Sequence, residues 1–238
     1  MKKTIITLMA LAGAAFGADY TTETAWTLNF GNEYTGGFQW TAEAGYSYGT
    51  PWEIVAVEGG TQTNSNDRVH MAGGVFGSWD EDFQFAITLT LGETISASNN
   101  WPVFGEIAGN GTALRFGPYT GVNNTVAVDG SLTKTEGRNN LVSVAPGGTY
   151  TVTLTKIGKD VTVAVDGKET AYGVLADTVS GNITDITFGG RQADNANNRI
   201  NEVVHSASYS VLTVIPEPTT ATLSLLALAG LAARRRRK

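Results

Sequence analysis

Residues 150–172 read YTVTLTKIGKDVTVAVDGKETAY, two alternating runs that are each followed by a turn signal. In the first run every second residue is apolar and threonines lie between, while residues 161–165 alternate valine with threonine or alanine. Asp166-Gly167 closes the second run. This pair favours the type I′ turn of a β-hairpin, because both central residues of that turn need positive φ angles. The stretch therefore predicts successive antiparallel strands with one buried face.

The same period of two occurs in residues 83–91. Apolar residues occupy the odd positions from Phe83 to Leu91, and Gln84, Thr88 and Thr90 face the other way. Shorter runs elsewhere are separated by Gly and Asn, residues 99–112 are predicted as a long connection, and no stretch has the pattern of a long amphipathic helix. The fold class predicted is all-β, an antiparallel two-sheet sandwich rather than a barrel.

Several motifs in this region resemble the second half of a LamG-like domain. Residues 161–168 read VTVAVDGK, residues 186–190 read ITFGG and residues 200–203 read INEV, in the order of that family's hairpin, strand end and closing strand. LamG-like domains are jelly-roll sandwiches of the concanavalin A-like lectin/glucanase superfamily, so the resemblance implies a jelly roll. It covers residues 149–214 and its motifs are structural. The Trp-His-His that often opens the hairpin region is replaced by Gly-Thr-Tyr at 148–150, and residues 18–148 carry no motif that aligns.

The N-terminus has the pattern of a secretory signal peptide. Lys2 and Lys3 precede an apolar run over residues 5–15, and Ala15 and Gly17 are small residues at the positions that a signal peptidase reads. We expect residues 1–17 to be removed on export, which leaves residues 18–213 as one β-sandwich domain of a size that can bury a substantial core.

The C-terminal segment, residues 214–238, contains a rigid Pro216-Glu217-Pro218, an uncharged stretch of 15 residues (219–233) and a basic stop. As a helix, the uncharged stretch would reach about 22 Å, which is short for a hydrocarbon core of about 30 Å. The segment resembles the PEP-CTERM sorting signal of Gram-negative bacteria. The resemblance implies export, a transient stay in the inner membrane as a short hydrophobic helix, and processing by an exosortase. The stop consists of Arg234, Arg235, Arg236, Arg237 and Lys238.

The charge of the body excludes several partners. Residues 18–213 keep nine of the 16 basic residues and 21 of the 22 acidic ones, so their formal net charge is −12. Such a body repels nucleic acid phosphates and has no electrostatic attraction to anionic lipid. The chain has no cysteine, which excludes thiol catalysis and cysteine-ligated zinc.

The sequence gives little support to catalysis, and we expect no enzyme activity. Retaining glucanases of the superfamily carry Glu-x-Asp-x-Glu or Glu-x-Asp-x-x-Glu on one strand; Asp80-Glu81-Asp82 comes nearest but lacks the second Glu. We interpret this triplet as the acidic, solvated start of a strand rather than as calcium ligands or catalytic acids. The chain has two histidines and neither a His-Glu-x-x-His motif nor a Gly-x-Ser-x-Gly elbow. No cofactor is indicated, and since no calcium motif matches, metal binding stays open.

Carbohydrate binding is the more specific hypothesis. Trp52 and Trp101 fall in predicted loops with amides and tyrosines nearby, and residues 192–198 add polar side chains. Sugar sites combine an aromatic plane with hydrogen-bonding groups. The alternative, which the usual burial of tryptophan favours, is that both indoles pack over sheet ends and the loop is merely solvated. Trp26, Trp40 and Trp79 are expected in the core.

These observations predict an exported protein of the cell envelope, outer surface or extracellular matrix, tethered to the membrane until its tail is processed. Its function would be structural, adhesive or glycan-binding, with a polysaccharide or surface glycan as the partner. The alternative is a glycoside-active enzyme of the concanavalin A-like superfamily with an atypical site.

Overall fold

The computed structural model describes residues 19–30, 38–42, 53–55, 69–91, 104–119, 125–136, 142–188 and 203–215. Within these ranges the chain forms strands and turns and no helix, so no described helix is long and apolar enough to cross a membrane. In chain order the strands are β1 (Tyr20–Phe30), β2 (Phe38–Ala42), β3 (Glu53–Val55), β4 (Val69–Ala72), β5 (Gly77–Ser78), β6 (Phe83–Thr90), β7 (Gly105–Gly109), β8 (Thr112–Tyr119), β9 (Thr125–Gly130), β10 (Leu132–Glu136), β11 (Thr149–Ile157), β12 (Asp160–Val165), β13 (Lys168–Leu175), β14 (Asn182–Ile183), β15 (Asp185–Phe188) and β16 (Val203–Val214).

The strands form two large antiparallel sheets and one small one. The larger sheet has eight strands in the order β10-β13-β12-β11-β6-β16-β1-β2, and the smaller has six in the order β3-β4-β15-β7-β8-β9. Strands β14 and β5 form a two-stranded ribbon. The chain leaves the larger sheet after β6, returns to it at β10 and ends in it at β16, with crossovers typical of a jelly roll. The prediction of an all-β, antiparallel two-sheet sandwich is confirmed.

The contacts divide the chain into two compact units. Residues 24–211 form the larger unit, which contains the sandwich. The described part of the other unit consists of residues 19–23 and 212–215, where the Ile215 amide donates to the Asp19 carbonyl oxygen over 2.8 Å.

Aromatic side chains join the two sheets in the core. Phe85 of β6 and Phe116 of β8 meet edge to face with their ring centroids 6.2 Å apart. The Trp26 indole N–H donates to the Phe76 carbonyl oxygen over 2.6 Å, and its ring stacks on Tyr209 at 6.2 Å. Full burial of one such ring contributes roughly 1.5–3 kcal/mol, and the hydrogen bond satisfies the indole's polar atom.

The predicted core positions of two tryptophans are confirmed. Trp26 and Trp79 are both buried, and the Trp79 indole N–H donates to the Gly109 carbonyl oxygen over 3.2 Å. Trp40 belongs to β2, but its side chain lies outside what the structure describes.

Three tight hairpins have two-residue turns, and the sequence predicts two of them. The turn at Gly158 and Lys159 connects β11 to β12, with a φ angle of 57° at Gly158, and the other two turns have positive φ angles at both central residues. Asp166 and Gly167 have φ angles of 48° and 78° and connect β12 to β13. Asn110 and Gly111, at 52° and 76°, connect β7 to β8 in the same way. The prediction of one long connection over residues 99–112 was therefore wrong from residue 105 onwards, because residues 105–109 form β7 and Asn-Gly favours the type I′ turn as strongly as Asp-Gly does.

Candidate functional site

The residues to which the sequence assigns a role in export, sorting or sugar binding lie outside the described part of the chain. Their assignments therefore stay predictions. This applies to the signal peptide, to residues 192–198, and to the sorting and sugar-binding residues: Pro216, Glu217, Pro218, Arg234, Arg235, Arg236, Arg237, Lys238, Trp52 and Trp101.

The acidic triplet at residues 80–82 is bonded to the protein instead of being simply solvated. Asp80 Oδ2 accepts the amide of Gly181 over 3.1 Å, and Asp82 Oδ1 accepts the amide of Gly158 over 2.7 Å. The triplet precedes β6 as predicted, but the carboxylates of Asp80 and Asp82 form hydrogen bonds with the backbone of neighbouring turns. Because these carboxylates accept backbone amides of two turns, the geometry supports a structural role.

A buried lysine completes this cluster. The Lys156 Nζ donates to the Glu81 carbonyl oxygen over 2.7 Å and lies 3.6 Å from the Asp82 carboxylate. Its residue is only 4% exposed. Burial lowers the pKa of Lys156, and the pull of Asp82 in the opposite direction is weaker. The Tyr209 hydroxyl, which donates to Glu81 Oε2 over 3.0 Å, ties the same turn to β16.

A different set of polar residues covers the outer side of the larger sheet. The inward residues of β6 are buried aromatic and aliphatic side chains, so Gln84, Ala86, Thr88 and Thr90 point outward. On the neighbouring strands, too, every second side chain points outward. We define the hydroxyl face as the outward residues of β12, β11, β6 and β16, which are Ala164, Thr162, Thr149, Thr151, Thr153, Thr155, Gln84, Ala86, Thr88, Thr90, His205, Ser206, Ser208 and Ser210.

The register arranges this face in rows that cross the strands. In the first row the Thr90 hydroxyl lies 2.8 Å from the Thr149 hydroxyl and 2.8 Å from His205 Nε2. His205 lies in the β-bulge between Val204 and Ser206. The extra residue of a bulge re-aims the side chain locally, and here the ring reaches the threonine of the neighbouring strand.

The second and third rows differ in the size of their side chains. In the second row Thr151, Thr88 and Ser206 are neighbours, and the two threonine hydroxyls lie 3.2 Å apart. The side chains of the third row are smaller on average than those of the second row, because alanine occupies two of its four positions. It consists of Ala164, Thr153, Ala86 and Ser208, all partly exposed.

The fourth row is more closely packed. Thr155 pairs with Thr162 on one side and Gln84 on the other, and Gln84 pairs with Ser210. The Gln84 amide donates to the Thr155 hydroxyl over 3.3 Å, and the Ser210 hydroxyl donates to that of Thr24 over 3.3 Å. Thr155, Thr162 and Ser210 are buried. The residues of the first two rows also bond to one another, but they are partly or fully exposed to solvent.

An aromatic ring stands at one end of the fourth row. Tyr172 of β13 pairs with Thr162 and is partly exposed. Its hydroxyl donates to Asp160 Oδ1 over 2.5 Å, and the Lys134 ammonium lies 6.0 Å from the ring centroid. The hydrogen bond holds the ring in one orientation.

The outer side of the smaller sheet has the opposite character. Arg115 of β8 is paired in register with Glu106 of β7 and Asp129 of β9, and its guanidinium lies 3.7 and 3.9 Å from their carboxylates. The hydroxyl face therefore differs from this charged row because it carries hydroxyls, one amide and one imidazole, while β10 and β13 of the same sheet carry the exposed charges of Lys134 and Glu169.

Hydroxyls act both as donors and as acceptors, so the hydroxyl face can match the hydroxyls of a sugar without a change of protonation. Sequence analysis missed it as a site. The signal was present in the alternate threonines of residues 149–155 and in Thr88 and Thr90, but alternation alone does not tell which strands become neighbours, and the rows form only through β6–β11 and β6–β16 pairing.

No family model matches the chain, and no curated protein matches it. Similar solved structures include a Trypanosoma rangeli sialidase in complex with 2,3-difluoro-KDN (14% identity, 78% of this chain and 30% of the sialidase, TM-score 0.46). They also include the binding domain of Paraclostridial Mosquitocidal Protein 1 (10% identity, 84% of this chain and 51% of that one, TM-score 0.44) and the cellulose-induced protein Cip1 (12% identity, 62% and 72%, TM-score 0.39). The chain thus spans about a third of the sialidase's length. TM-scores below 0.5 at such identities assign neither a family nor an activity, so the PEP-CTERM and LamG-like resemblances stay predictions.

Proposed function

We propose that the chain is an exported, non-catalytic glycan-binding or adhesive module of the cell envelope or extracellular matrix, and that the hydroxyl face takes part in binding. The observation that carries the proposal is the network around Thr90, whose exposed hydroxyl connects Thr149 and His205 across three strands. A surface of hydroxyls on rigid strands presents fixed hydrogen-bonding groups, and this fixed arrangement lowers the entropy cost of binding.

The energies indicate a weak binder. One hydrogen bond exchanged with water contributes only about 0.5–1.5 kcal/mol, so three or four of them support an affinity near the millimolar range, where the binding free energy is about −4 kcal/mol. Stacking of a sugar on Trp52 or Trp101 would add to this. Weak, repeated binding suits a matrix protein that meets many copies of one glycan, because multivalency raises the overall avidity.

The sorting tail supports the location that we propose. Its partner would be an exosortase-type enzyme, and the inner membrane would hold the short apolar segment only until processing. The net charge of −12 on residues 18–213 supports release, since a body of this charge gains nothing from anionic lipid.

The test is a glycan array followed by isothermal titration with the full chain, purified from a host that exports it. We expect binding that falls severalfold in the Thr90→Val/Thr151→Val double variant, because valine keeps the shape of threonine and removes its hydroxyl. Thr187→Val on the smaller sheet is the matched control and should bind normally. Trp52→Ala and Trp101→Ala test the contribution of the two predicted loops.

Two results would contradict the proposal. If the chain binds no glycan on the array, the glycan-binding function is wrong and a purely structural function remains. If reducing sugar is released in a manner that depends on one carboxylate, the chain is a glycoside-active enzyme.

A further inference from the structure

We propose that residues 19–21 of β1 and residues 213–215 of β16 form a latch, which must open before the sorting tail can be cut. This inference rests on the proposed sorting of the chain and adds a step that controls it. The latch belongs to the smaller of the two contact units. It lies beside both predicted processing sites, since Asp19 is the second residue after the signal peptide and Ile215 directly precedes Pro216.

Hydrogen bonds across the latch define its register. The Ile215 amide donates to the Asp19 carbonyl oxygen over 2.8 Å, and the Thr21 hydroxyl donates to the Thr213 carbonyl oxygen over 3.3 Å. Both contacts fit one antiparallel register. In this register the next hydrogen-bonded pair would join Glu217 to Gly17, which is the last residue of the predicted signal peptide. Once the signal peptide is removed, the paired strands therefore end at Asp19 and Ile215.

The latch leaves little unpaired chain beside the predicted cut. Three residues, 216–218, lie between Ile215 and the uncharged stretch that starts at Thr219. An extended chain spans at most about 3.3–3.6 Å per residue, so these three residues reach roughly 11 Å, and opening the latch would double that length. Proteins that bind an extended peptide commonly form hydrogen bonds with its backbone. Because residues in the latch already use their backbone groups, the closed latch hinders binding by a processing enzyme.

The exposure of the latch indicates that it opens at a small cost. Residues 213–215 are all exposed, and on β1 only Tyr20 of the latch is partly buried, so opening uncovers little apolar surface. Leu212, the residue before the latch, is only 5% exposed and marks the point at which opening stops. Hydrogen bonds at exposed strand ends open far more often than those of a core. The latch therefore slows the cut without preventing it.

A disulfide across the latch tests the inference. The register makes Tyr20 and Val214 a non-hydrogen-bonded pair, whose Cα atoms are typically about 4.5 Å apart, within the range that a disulfide spans. The chain has no cysteine of its own, so Tyr20→Cys/Val214→Cys can form no other bridge within the chain. We expect this variant of the full chain, exported by a host with an exosortase, to lose its tail at least about tenfold more slowly than the parent chain. Growth with dithiothreitol, which reduces the bridge, should restore the parent rate.

The matched control is Ala108→Cys/Ala113→Cys. These two residues face each other between β7 and β8, so their bridge lies outside the latch and the tail should be cut at the parent rate with or without dithiothreitol. Mass spectrometry at successive times measures the loss of the tail, verifies each bridge and shows that the signal peptide has been removed.

A second variant changes the rate in the opposite direction. Thr21→Pro removes the backbone amide that this register directs at Thr213, and proline cannot replace that donor. The latch should then open more often, and the tail should be cut severalfold faster than in the parent chain.

The outcomes separate this inference from the sorting tail itself. If the parent chain is cut and the bridged variant is cut equally fast, the latch is wrong while sorting stands. Failure of the bridge to form would show that Tyr20 and Val214 are not paired and would also overturn the latch, as would a slow cut that dithiothreitol does not reverse. If Thr21→Pro slows the cut, the paired strands present the tail instead of hindering its binding. If the parent chain is never cut, the sorting tail and the latch both fail.

Discussion

The hydroxyl of Thr90 lies 2.8 Å from the hydroxyl of Thr149, a residue 59 positions away in sequence. The contact exists because β6 pairs with β11 in the centre of the larger sheet. The same hydroxyl meets His205, 115 positions away, from the strand on the other side. Thr90 is thus the point at which three distant segments of the chain present polar groups together on the outer side of the sheet.

The Thr90→Val variant should change the glycan affinity much more than the free energy of unfolding. Because these hydroxyls are exposed, water replaces the lost partner, and the free energy of unfolding should fall by less than about 1 kcal/mol. Glycan affinity should fall severalfold. Urea denaturation measures the first quantity and isothermal titration the second, with Thr187→Val as control. A large loss of stability without loss of affinity would show that Thr90 is a structural residue only.

Two glycines in one hairpin should respond very differently to alanine. A Cβ on Gly109 would lie 2.1 Å from the carbonyl oxygen of Asn182, whereas Gly111 has open space around it and a φ angle of 76°. Gly109→Ala forces backbone to move and should cost about 3 kcal/mol or more. Gly111→Ala should cost only about 1–2 kcal/mol of stability, because alanine must adopt the left-handed conformation. The midpoints of urea unfolding test the order; equal costs would mean that β7 and β14 are not in close contact.

Much of the fold could be predicted from alternation and turn residues, because each acts locally. The odd positions from Phe83 to Leu91 and the valines of β12 are buried as their period of two requires, and Asp166-Gly167 forms the expected turn. The rows of the hydroxyl face could not be predicted, since they depend on register between distant strands. His205 faces Thr90 only because a bulge adds one residue to β16. The local sequence pattern does not predict this bulge.

Lys156→Met tests the buried charge. At neutral pH the variant loses the bond to the Glu81 carbonyl oxygen and should be less stable by about 1 kcal/mol; Asp82 keeps its bond to Gly158, so its carboxylate is not left unpartnered. The pKa of Lys156 is lowered in the folded state by burial. As pH rises from that lowered pKa towards the ordinary value of about 10.4, the unfolded chain binds more protons than the folded one, so stability rises with pH.

The pH dependence of stability distinguishes the effect of the buried Lys156 charge from the effect of side-chain packing. The stability advantage of the parent chain over Lys156→Met should widen as pH approaches about 10.4, because methionine has no proton to lose. Lys159→Met, at an exposed position where the ammonium pairs with Asp177, is the control for the loss of one positive charge outside the core. A difference that shrinks with pH would mean that the ion pair with Asp82 outweighs the effect of burial.

The predicted sorting tail gives the last prediction. As a helix, residues 219–233 would be too short for a stable span, the basic stop would hold them at the cytoplasmic side, and the acidic body would gain nothing from anionic lipid. A segment of this kind suits temporary retention followed by cleavage, so protein from a host with an exosortase should lack the residues after about Pro218. Replacement of Pro216, Glu217 and Pro218 by alanine should leave the chain uncut. Mass spectrometry of the mature C-terminus decides the matter, with an exosortase-deficient host as control. Intact Lys238 on the mature parent chain would show that the tail is a permanent tether, and the chain would then meet its glycan at the membrane surface rather than in the matrix.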